Sequence, residues 1–310
     1  WVNEVAIIKA TFTGTLNDLT ANDLFVSTSK QTVIDGNINF KNLLNKEPGN
    51  FSMDGRFNKV VSTYSDLKAL LPNVLGNSIP TVLDKLGRFD IQGNTSITAQ
   101  KIDADFNIHA DLGIIIAELE MQDVNDIDNA SYKGNVIFDE FLMGNILNDP
   151  KIGKVSFNLD VDGKGFTLDN LNTLVKGDIY GLNYNDYYYS NIAINGTVKN
   201  RVFNGALGTK DENLDFAFNG LVDFSKVENN YDFTATVNYA NLNALNFIKK
   251  DSLSTFKGLV KMNMEGNSFD DTYGEITFQN TLYTNQNDAY YFKDFAIVSS
   301  FENEERTLHV

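Results

Sequence analysis

The chain has 310 residues, and its 42% hydrophobic and 12% aromatic content allows a large core and argues against disorder. Its 41 acidic and 25 basic residues give a formal net charge of −16, which argues against a nucleic-acid partner because phosphate binding needs a basic patch. Without cysteine, the chain has no disulfide, thiolate metal site or cysteine nucleophile. No apolar run approaches the roughly 20 residues of a membrane-spanning helix.

The segment 64–87 is the one long stretch with helical periodicity. Its leucines recur at helical spacing and are interrupted by Pro72 and Pro80, which predicts two short helices. We expect these helices to cap or plug the apolar interior locally, because they offer the main helical apolar surface of the chain. The leucines expected to turn inward are Leu67, Leu70, Leu71, Leu83 and Leu86.

Elsewhere the dominant pattern is period two, with apolar and polar residues alternating. It is clear in residues 104–112, 214–224, 231–239 and 256–264. Such alternation is typical of strands that have one buried and one solvated face. In the third of these runs it places one set of side chains on a single face: Tyr231, Phe233, Ala235, Val237 and Tyr239. A single helical turn is expected within residues 138–147.

Glycine preceded by Asp or Asn punctuates the alternating runs. The pairs are Asp35-Gly36, Asp54-Gly55, Asp162-Gly163, Asn195-Gly196, Asn204-Gly205 and Asn219-Gly220. We expect some of these pairs to form hairpin turns. Those inside alternating runs predict bulges or close backbone contacts instead.

The segment NLDVDGKGFTLD, residues 158–169, has the spacing of a calcium loop. Asn158, Asp160 and Asp162 stand at positions one, three and five, with Gly163 at six and Asp169 at twelve. An EF-hand also needs flanking helices and a bidentate Glu at position twelve, and neither is present. Because apolar residues alternate with the acidic ones, we interpret the segment as the solvated face of a strand with a hairpin turn or bulge. No metal site is expected.

Many one-sided strands with little helical surface to cover them constrain the fold. The apolar faces must close on one another as a sandwich, a barrel or a folded trough. A trough left open would expose more apolar surface than a soluble monomer normally carries, so something apolar would have to occupy it. The sequence therefore predicts an all-β fold, and without a visible linker we expect one continuous body over residues 1–310.

A resemblance to a known family is carried by residues 138–179, 187–225 and 233–278. Its markers are the Leu-Asn-x-Leu-Asn segment at 242–246, Lys250-Asp251-Ser252, and Asp270-Asp271 before Gly274. This succession resembles the strand array of TamB-type translocation and assembly module proteins of the AsmA-like superfamily, in their Bacteroidota form. The resemblance is diffuse over the whole chain and sharpest from about Tyr132 to Phe278.

The resemblance implies an elongated U-shaped β-trough, often called a β-taco, whose apolar inner groove spans the periplasm. Members of the family are thought to carry phospholipid between the inner and outer membranes and to partner an outer-membrane barrel protein of the TamA type. It also implies an inner-membrane anchor through an N-terminal helix. Since the sequence opens on Trp1 and stops at Val310 directly after a strand-like run, we expect an internal fragment of a longer protein. Asp251-Ser252-Leu253 resembles an O-glycosylation sequon of periplasmic proteins in this bacterial group.

The pattern and the resemblance together predict a non-enzymatic lipid conduit in the periplasm, with no cofactor, no metal and phospholipid as its partner. The side chains expected to line the groove are Phe106, Ile108, Phe216, Phe218, Phe233, Val237, Val260, Met262, Ile276 and Phe278. His109 and His309 are expected on solvated surfaces, because no nucleophile elbow or HExxH pair accompanies them.

Two acidic groups and an aromatic run have simpler interpretations than a ligand site. Asp123, Asp126 and Asp128, like Asp270-Asp271, are interpreted as solvated loops. The tyrosines at 187–189 are interpreted as cross-strand packing.

The main alternative function is a closed β-sandwich or adhesin-like binding module, whose strands would have the same pattern. A carbohydrate-active enzyme is disfavoured, because the only tryptophan is the first residue.

Overall fold

The computed structural model of the chain describes residues 5–43, 51–70, 79–268, 270–302 and 305–310. Strand accounts for 69% of it, and its 18 strands belong to one open antiparallel sheet, so the prediction of an all-β fold is confirmed.

The chain divides into two compact units. Unit 1 is Trp1–Pro150 with Lys154–Thr173, and unit 2 is Lys151–Gly153 with Leu174–Val310. The single continuous body stays a prediction.

Unit 1 contains eight strands and most of a ninth, each antiparallel to the next in a meander. They are β1 (Ala6–Thr15), β2 (Asp18–Thr28), β3 (Val33–Lys41), β4 (Ser52–Thr63), β5 (Arg88–Thr98), β6 (Lys101–Ala110), β7 (Gly113–Gln122), β8 (Ser131–Leu142) and β9 (Ile152–Lys164). In a meander, turns that follow even-numbered strands lie at one edge and turns that follow odd-numbered strands at the other. We call these edges the even rim and the odd rim.

Four short helices occupy the connections of unit 1. They are α1 (Tyr64–Leu70), the 3₁₀ helix η1 (Thr81–Leu86), the 3₁₀ helix η2 (Val124–Asn129) and α2 (Met143–Leu147). The two helices predicted in residues 64–87 and the turn predicted in 138–147 are confirmed, whereas η2 was not foreseen. Among the described residues, no helix has the length and apolar character needed to cross a membrane.

Unit 2 contains most of β10 and eight further strands. They are β10 (Asn172–Tyr184), β11 (Tyr187–Lys199), β12 (Val202–Lys210), β13 (Leu214–Asp223), β14 (Asn230–Asn241), β15 (Ser254–Glu265), β16 (Tyr273–Asn285), β17 (Ala289–Glu302) and β18 (Glu305–His309). From β11 to β18 each strand is antiparallel to the next. The described part of this unit has no helix.

The hairpin turns lie elsewhere than expected. All six Asp-Gly and Asn-Gly pairs fall inside strands, so the prediction that some are hairpin turns is wrong. Two-residue turns are made instead by Asn185-Asp186, with φ of 51° and 63°, and by Asn200-Arg201, with φ of 47° and 68°. Positive φ at both positions matches the right-handed twist of the flanking strands, which is why such turns suit hairpins.

Bulges bend many of the strands near their middle. Non-glycine residues with positive φ stand inside strands at Asp23, Glu140, Asn191 and Asn280. A bulge adds one residue to one strand, so it bends that strand and moves the following side chains to the opposite face. In β14 the register shifts between Val237 and Ala240. Ala240 is therefore buried and Tyr239 is 41% exposed, so the predicted inward placement of Tyr239 is wrong.

The interior of unit 1 is closed by packed side chains. Its core cluster takes residues from β3 to β8 and from η2: Ile38, Met53, Ile97, Ile102, Met121, Val124, Ile127, Ala130 and Tyr132. Phe141 is only 1% exposed. Leu67 and Leu86 are buried and Leu70 and Leu83 half-buried, which agrees with the predicted plug, whereas Leu71 lies outside the described residues.

Candidate functional site

An unbroken apolar row crosses seven neighbouring strands of unit 2. Directly paired residues on successive strands are Ile194, Leu207, Phe218, Ala235, Val260, Phe278 and Phe295. We call this set the Phe218 row. Ala235 is buried, and the other six are half-buried. Seven strands about 4.8 Å apart give the row a length of about 29 Å.

A second row runs beside the first on the same face. Its directly paired members are Gly196, Gly205, Gly220, Phe233, Met262, Ile276 and Ile297, and we call it the Phe233 row. The glycines leave room for rings from the rows on either side. The Phe203 and Phe218 ring centroids lie 6.1 Å apart across Gly205 and Gly220. Phe218 also lies 5.0 Å from Phe233, so the aromatic surface is continuous.

Eight of the ten side chains predicted to line a groove lie together in unit 2. Phe218, Val260 and Phe278 are in the Phe218 row, and Phe233, Met262 and Ile276 are in the Phe233 row. Phe216 and Val237 pair directly in the adjoining row. The other two, Phe106 and Ile108, lie on β6 of unit 1, where Phe106 is half-buried and Ile108 is 7% exposed.

Side chains between the rows point to the opposite face. Asn219 is exposed and Asp215 half-exposed on either side of the Phe218 position. The Asp215 carboxylate accepts a hydrogen bond from the Asn238 side-chain amide, 3.0 Å away at the surface. Since consecutive strand residues alternate between faces, the rows contain no charged side chain while the opposite face is polar.

A loop at the even rim covers one end of this face. Residues 242–253 connect β14 to β15, and Leu245 within them is fully buried against Tyr189, Ile192 and Ala240. The loop is held at the same rim by a hydrogen bond from the Asn246 side-chain amide to the backbone oxygen of Asn185. Its contacts therefore lie near the even rim, and most side chains of the two rows stay partly exposed.

A carboxylate network supports this rim. The hydroxyls of Tyr187 and Ser190 and the backbone N–H of Asn213 all donate to Asp211. Partial burial raises the pKa of Asp211, but hydrogen bonds from Ser190 and Tyr187 outweigh it and hold that pKa below its usual value. Burial raises the pKa of Tyr189 to about 12. Asp211 and its donors are partnered within the rim and serve its structure.

The three consecutive tyrosines of β11 divide between the two faces of the sheet. Tyr187 and Tyr189 pack edge to face along their own strand, with ring centroids 4.7 Å apart. Tyr188 points the other way and lies over Gly181 of the neighbouring strand β10, where a Cβ would collide with its ring. The packing predicted for this run is therefore cross-strand at Tyr188 and within one strand for the other two.

The segment with calcium-loop spacing lies on β9. Asp160 and Asp162 are exposed, Asp160 accepts a hydrogen bond from Asn135, and Asp162 forms an ion pair with Lys133 at 3.1 Å. The solvated-face interpretation is confirmed. The predicted turn at Asp162-Gly163 is wrong, because Gly163 pairs with Tyr132 inside the ladder. A side chain on Gly163 would collide with the backbone of β10, which explains the glycine.

The remaining candidates take separate local partners. Asp126 accepts from Asn129, Asp128 from Thr81, and Asp271 from the N–H groups of Asn267 and Ser268. Asp123 accepts from the Ser131 hydroxyl. Asp270, His109, His309 and Ser252 are exposed. In the described residues no three His, Asp or Glu side chains are grouped as a metal site.

Sequence reasoning missed several members of the two rows. They are Ile194, Leu207, Phe295 and Ile297, whereas Ala235 was placed on the correct face but not among the groove residues. Phe295 and Ile297 do alternate with polar or small residues, and that signal was available. Which residue faces which across the sheet depends on turn lengths and bulges, so the continuity of a row was not visible in any single strand.

Comparisons of the chain with known proteins found no match. No protein-family model, no curated protein and no solved structure matches the chain. The comparisons therefore support no family assignment, and the TamB-type resemblance contributes only to the proposal that follows.

Proposed function

We propose that the chain is a non-enzymatic segment that carries the acyl chains of phospholipid along the apolar rows of unit 2. The observation that carries the proposal is the Phe218 row, which stays apolar over seven strands and keeps six of its seven side chains partly exposed. A continuous apolar strip that stays partly exposed over this length is costly in water and is typical of a surface that binds something apolar.

The dimensions of the row suit one extended hydrocarbon chain. The row is about 29 Å long at about 4.8 Å per strand. A sixteen-carbon chain extends over roughly 20 Å, since each C–C bond of about 1.5 Å advances it by about 1.3 Å. Burying a CH₂ group contributes about 0.8 kcal/mol, so full burial of such a chain contributes on the order of 13 kcal/mol before costs.

Movement along the rows follows from their repetition. Leu207, Phe218, Val260 and Phe278 offer similar apolar contacts at successive strands, so a chain that slides by one strand exchanges one contact for a similar one. The charged or zwitterionic headgroup stays in water at the open side, because burying it unpaired is costly. No residue has to react, so the mechanism needs neither a catalytic group nor a cofactor.

The biological setting of the proposal rests on the resemblance alone. It comprises a periplasmic location, a bridge toward the outer membrane that supports its assembly, an inner-membrane anchor and an outer-membrane barrel partner of the TamA type. The rows support only the binding of an apolar chain.

The test places a photo-crosslinking amino acid in living cells at position 216 or 218 and, as matched controls, at position 215 or 219. The inward positions are expected to yield phospholipid adducts, detected by mass spectrometry, and the outward positions none. Adducts with protein alone at 216 and 218 would end the lipid proposal for this unit.

A charge in the row gives a second readout. Phe218→Arg places a guanidinium among Phe203 and Phe233, where it must lose its water or draw water into the row. Lipid adducts at a probe in position 278 are expected to disappear. Asn219→Arg, on the opposite face, is expected to leave them unchanged.

Unit 1 favours the second candidate function, a closed structural or binding module without a conduit. Its core cluster is fully buried, and the Phe141 side chain is 1% exposed. A closed module predicts no lipid adduct from any inward position and a loss of stability for Phe218→Arg.

A further inference from the structure

Helix η1 runs across unit 1 from the odd rim toward the even rim. Its first residue, Thr81, donates from its N–H and its hydroxyl to the Asp128 carboxylate, with distances of 2.8 Å and 2.9 Å. Asp128 belongs to the β7–β8 connection at the odd rim. Near the other end of η1, the Lys85 Nζ donates to the backbone oxygen of Ile146 in the β8–β9 connection at the even rim, 2.6 Å away.

The rims that η1 touches lie at opposite ends of β8. A straight strand of 12 residues would separate them by about 40 Å at about 3.3 Å per residue. Helix η1 has six residues and spans about 12 Å at about 2 Å per residue, to which the Lys85 side chain adds a few ångströms. The β7–β8 and β8–β9 connections therefore approach one another on the inner side of unit 1, since β8 has a bulge between Phe138 and Phe141 and η2 folds inward into the core cluster. Helix η1 bridges these two connections.

Helix η1 is held by polar contacts at its ends, by packing beside helix α1 and by one fully buried side chain. Leu86 is 4% exposed, Val82 and Leu83 are half-buried, and Thr81, Asp84 and Lys85 are exposed. The residue after η1, Gly87, has a φ of 70°, a backbone conformation that glycine adopts without strain. A six-residue element with one fully buried side chain has few buried contacts to lose, which is typical of elements that open locally.

We propose that η1 is a strap that closes the apolar interior of unit 1 to lipid, and that release of Thr81 from Asp128 opens it. The inference rests on the proposed lipid function, and it makes the two units unequal. Unit 2 accepts acyl chains at any time, and unit 1 accepts them only with the strap released. The Asp128 carboxylate is the latch, because it accepts from both donors of Thr81.

The experiment places a photo-crosslinking amino acid in the full chain in living cells, either at position 106 in unit 1 or at position 218 in unit 2, and measures the phospholipid adducts formed at each. Asp128→Ala removes the latch. Asp126→Ala is the matched control, because this carboxylate lies in the same helix η2 and accepts from Asn129 of that helix. Lipid capture at 106 is expected to rise at least about tenfold in Asp128→Ala, as for a minor open state of at most about 10% becoming dominant. Capture at 106 is expected to stay at the parent level in Asp126→Ala, and capture at 218 to stay constant throughout.

A relinked variant separates opening from damage. The chain has no cysteine, so Thr81→Cys with Asp128→Cys provides two unique thiols. Joining them with a short bismaleimide is expected to return capture at 106 to the parent level although the carboxylate is absent. Persistent capture after joining would show that loss of Asp128 had loosened the unit as a whole, which overturns the strap.

The remaining outcomes are equally decisive. Equal capture at 106 in the parent and in Asp128→Ala shows that η1 does not close the interior. Capture at 218 with none at 106 in any variant shows that unit 1 is a closed core. Absence of lipid at 218 itself contradicts the proposed function, and the strap then has no lipid to exclude.

Discussion

Unit 1 and unit 2 are built from strands of similar length and pattern, yet their inner faces differ. In unit 1 the buried cluster includes Val124 and Ile127 of a connecting helix, and Phe141 is 1% exposed. In unit 2 the members of the Phe218 row from Leu207 to Phe295 are half-buried except for Ala235. The strands of both units supply the apolar residues. The connections decide how much of that surface is sealed.

The difference arises from where the long connections lie. In unit 1, helix η1 contacts the β7–β8 and β8–β9 connections, and the β7–β8 connection folds inward through η2. In unit 2 the long connection, residues 242–253, buries Leu245 at the even rim and is tied to Asn185 of that same rim. An amphipathic strand pattern therefore does not by itself distinguish a core from a groove.

The largest effect expected from this comparison is at Phe141. Phe141→Ala removes a fully buried ring from unit 1 and leaves a cavity, so we expect a loss of about 3–5 kcal/mol in the free energy of unfolding. Phe218→Ala in unit 2 is the matched variant, with an expected loss of about 1–2 kcal/mol because the ring is already partly exposed. Urea unfolding followed by hydrogen exchange in each unit measures both. Equal losses would remove the distinction between core and groove.

The next effect concerns acid. Asp211, Asp223 and Asp271 of unit 2 each have a pKa held below the usual value, in each case with hydrogen bonds that favour the charged carboxylate. A carboxyl whose folded pKa is depressed contributes stability above its unfolded pKa of about 4, and that stability is lost as the pH falls through the folded pKa. We expect unit 2 to lose stability below about pH 4.

Asp211→Asn tests the source of that acid sensitivity. The substitution replaces a charged carboxylate acceptor with a neutral amide. We expect the free energy of unfolding to fall by about 1.5–3 kcal/mol at neutral pH and to depend less on pH in the acid range. Glu212→Gln, at the exposed neighbouring position, is the control and is expected to change neither. An unchanged acid profile for Asp211→Asn in a pH series of thermal melts would show that the rim network does not stabilise unit 2.

A smaller effect is expected where the Phe233 row needs glycine. An alanine Cβ at position 205 would lie 2.4 Å from the Gly196 Cα, a backbone atom that cannot move aside alone. We expect Gly205→Ala to cost about 1–3 kcal/mol through overpacking. At Gly208 the closest atom to such a Cβ is the Phe216 oxygen at 3.4 Å, so Gly208→Ala is expected to cost little. Melting temperatures that fall equally in both variants would contradict this account of the row.

The smallest effect is expected on the solvated face of unit 1. Asp160→Asn combined with Asp162→Asn removes one exposed ion pair and weakens polar contacts with Asn135, so we expect a change within about 0.5 kcal/mol. Calcium is expected to leave the melting temperature of the parent unchanged. A calcium-dependent rise in the parent that disappears in the double variant would restore the metal-site interpretation.

Several features followed from local sequence. Alternation over residues 214–224 and 256–264 predicted strands, and the Phe216 and Phe218 side chains share a face as that period requires. The leucines of residues 64–87 predicted helices, and Leu67 and Leu86 are buried. Each of these depends on the geometry of one element, whose period of two or near 3.6 residues is set by its own backbone.

Other features depended on contacts between distant residues and were decided only by the tertiary structure. Tyr239 is not on the predicted face, because a bulge in β14 moves it to the other side of the sheet. The Asn-Gly pairs lie inside strands, where aromatic rings or the backbone of the neighbouring strand come too close to the glycine for a side chain to fit. The alignment of Leu207 with Phe218 and Phe278 depends on register, which turn lengths and bulges set together. The reach of η1 to Asp128 joins residues 47 apart in sequence. The sequence by itself determined which side chains are apolar and alternate, whereas the path of the connections determined which of them are sealed.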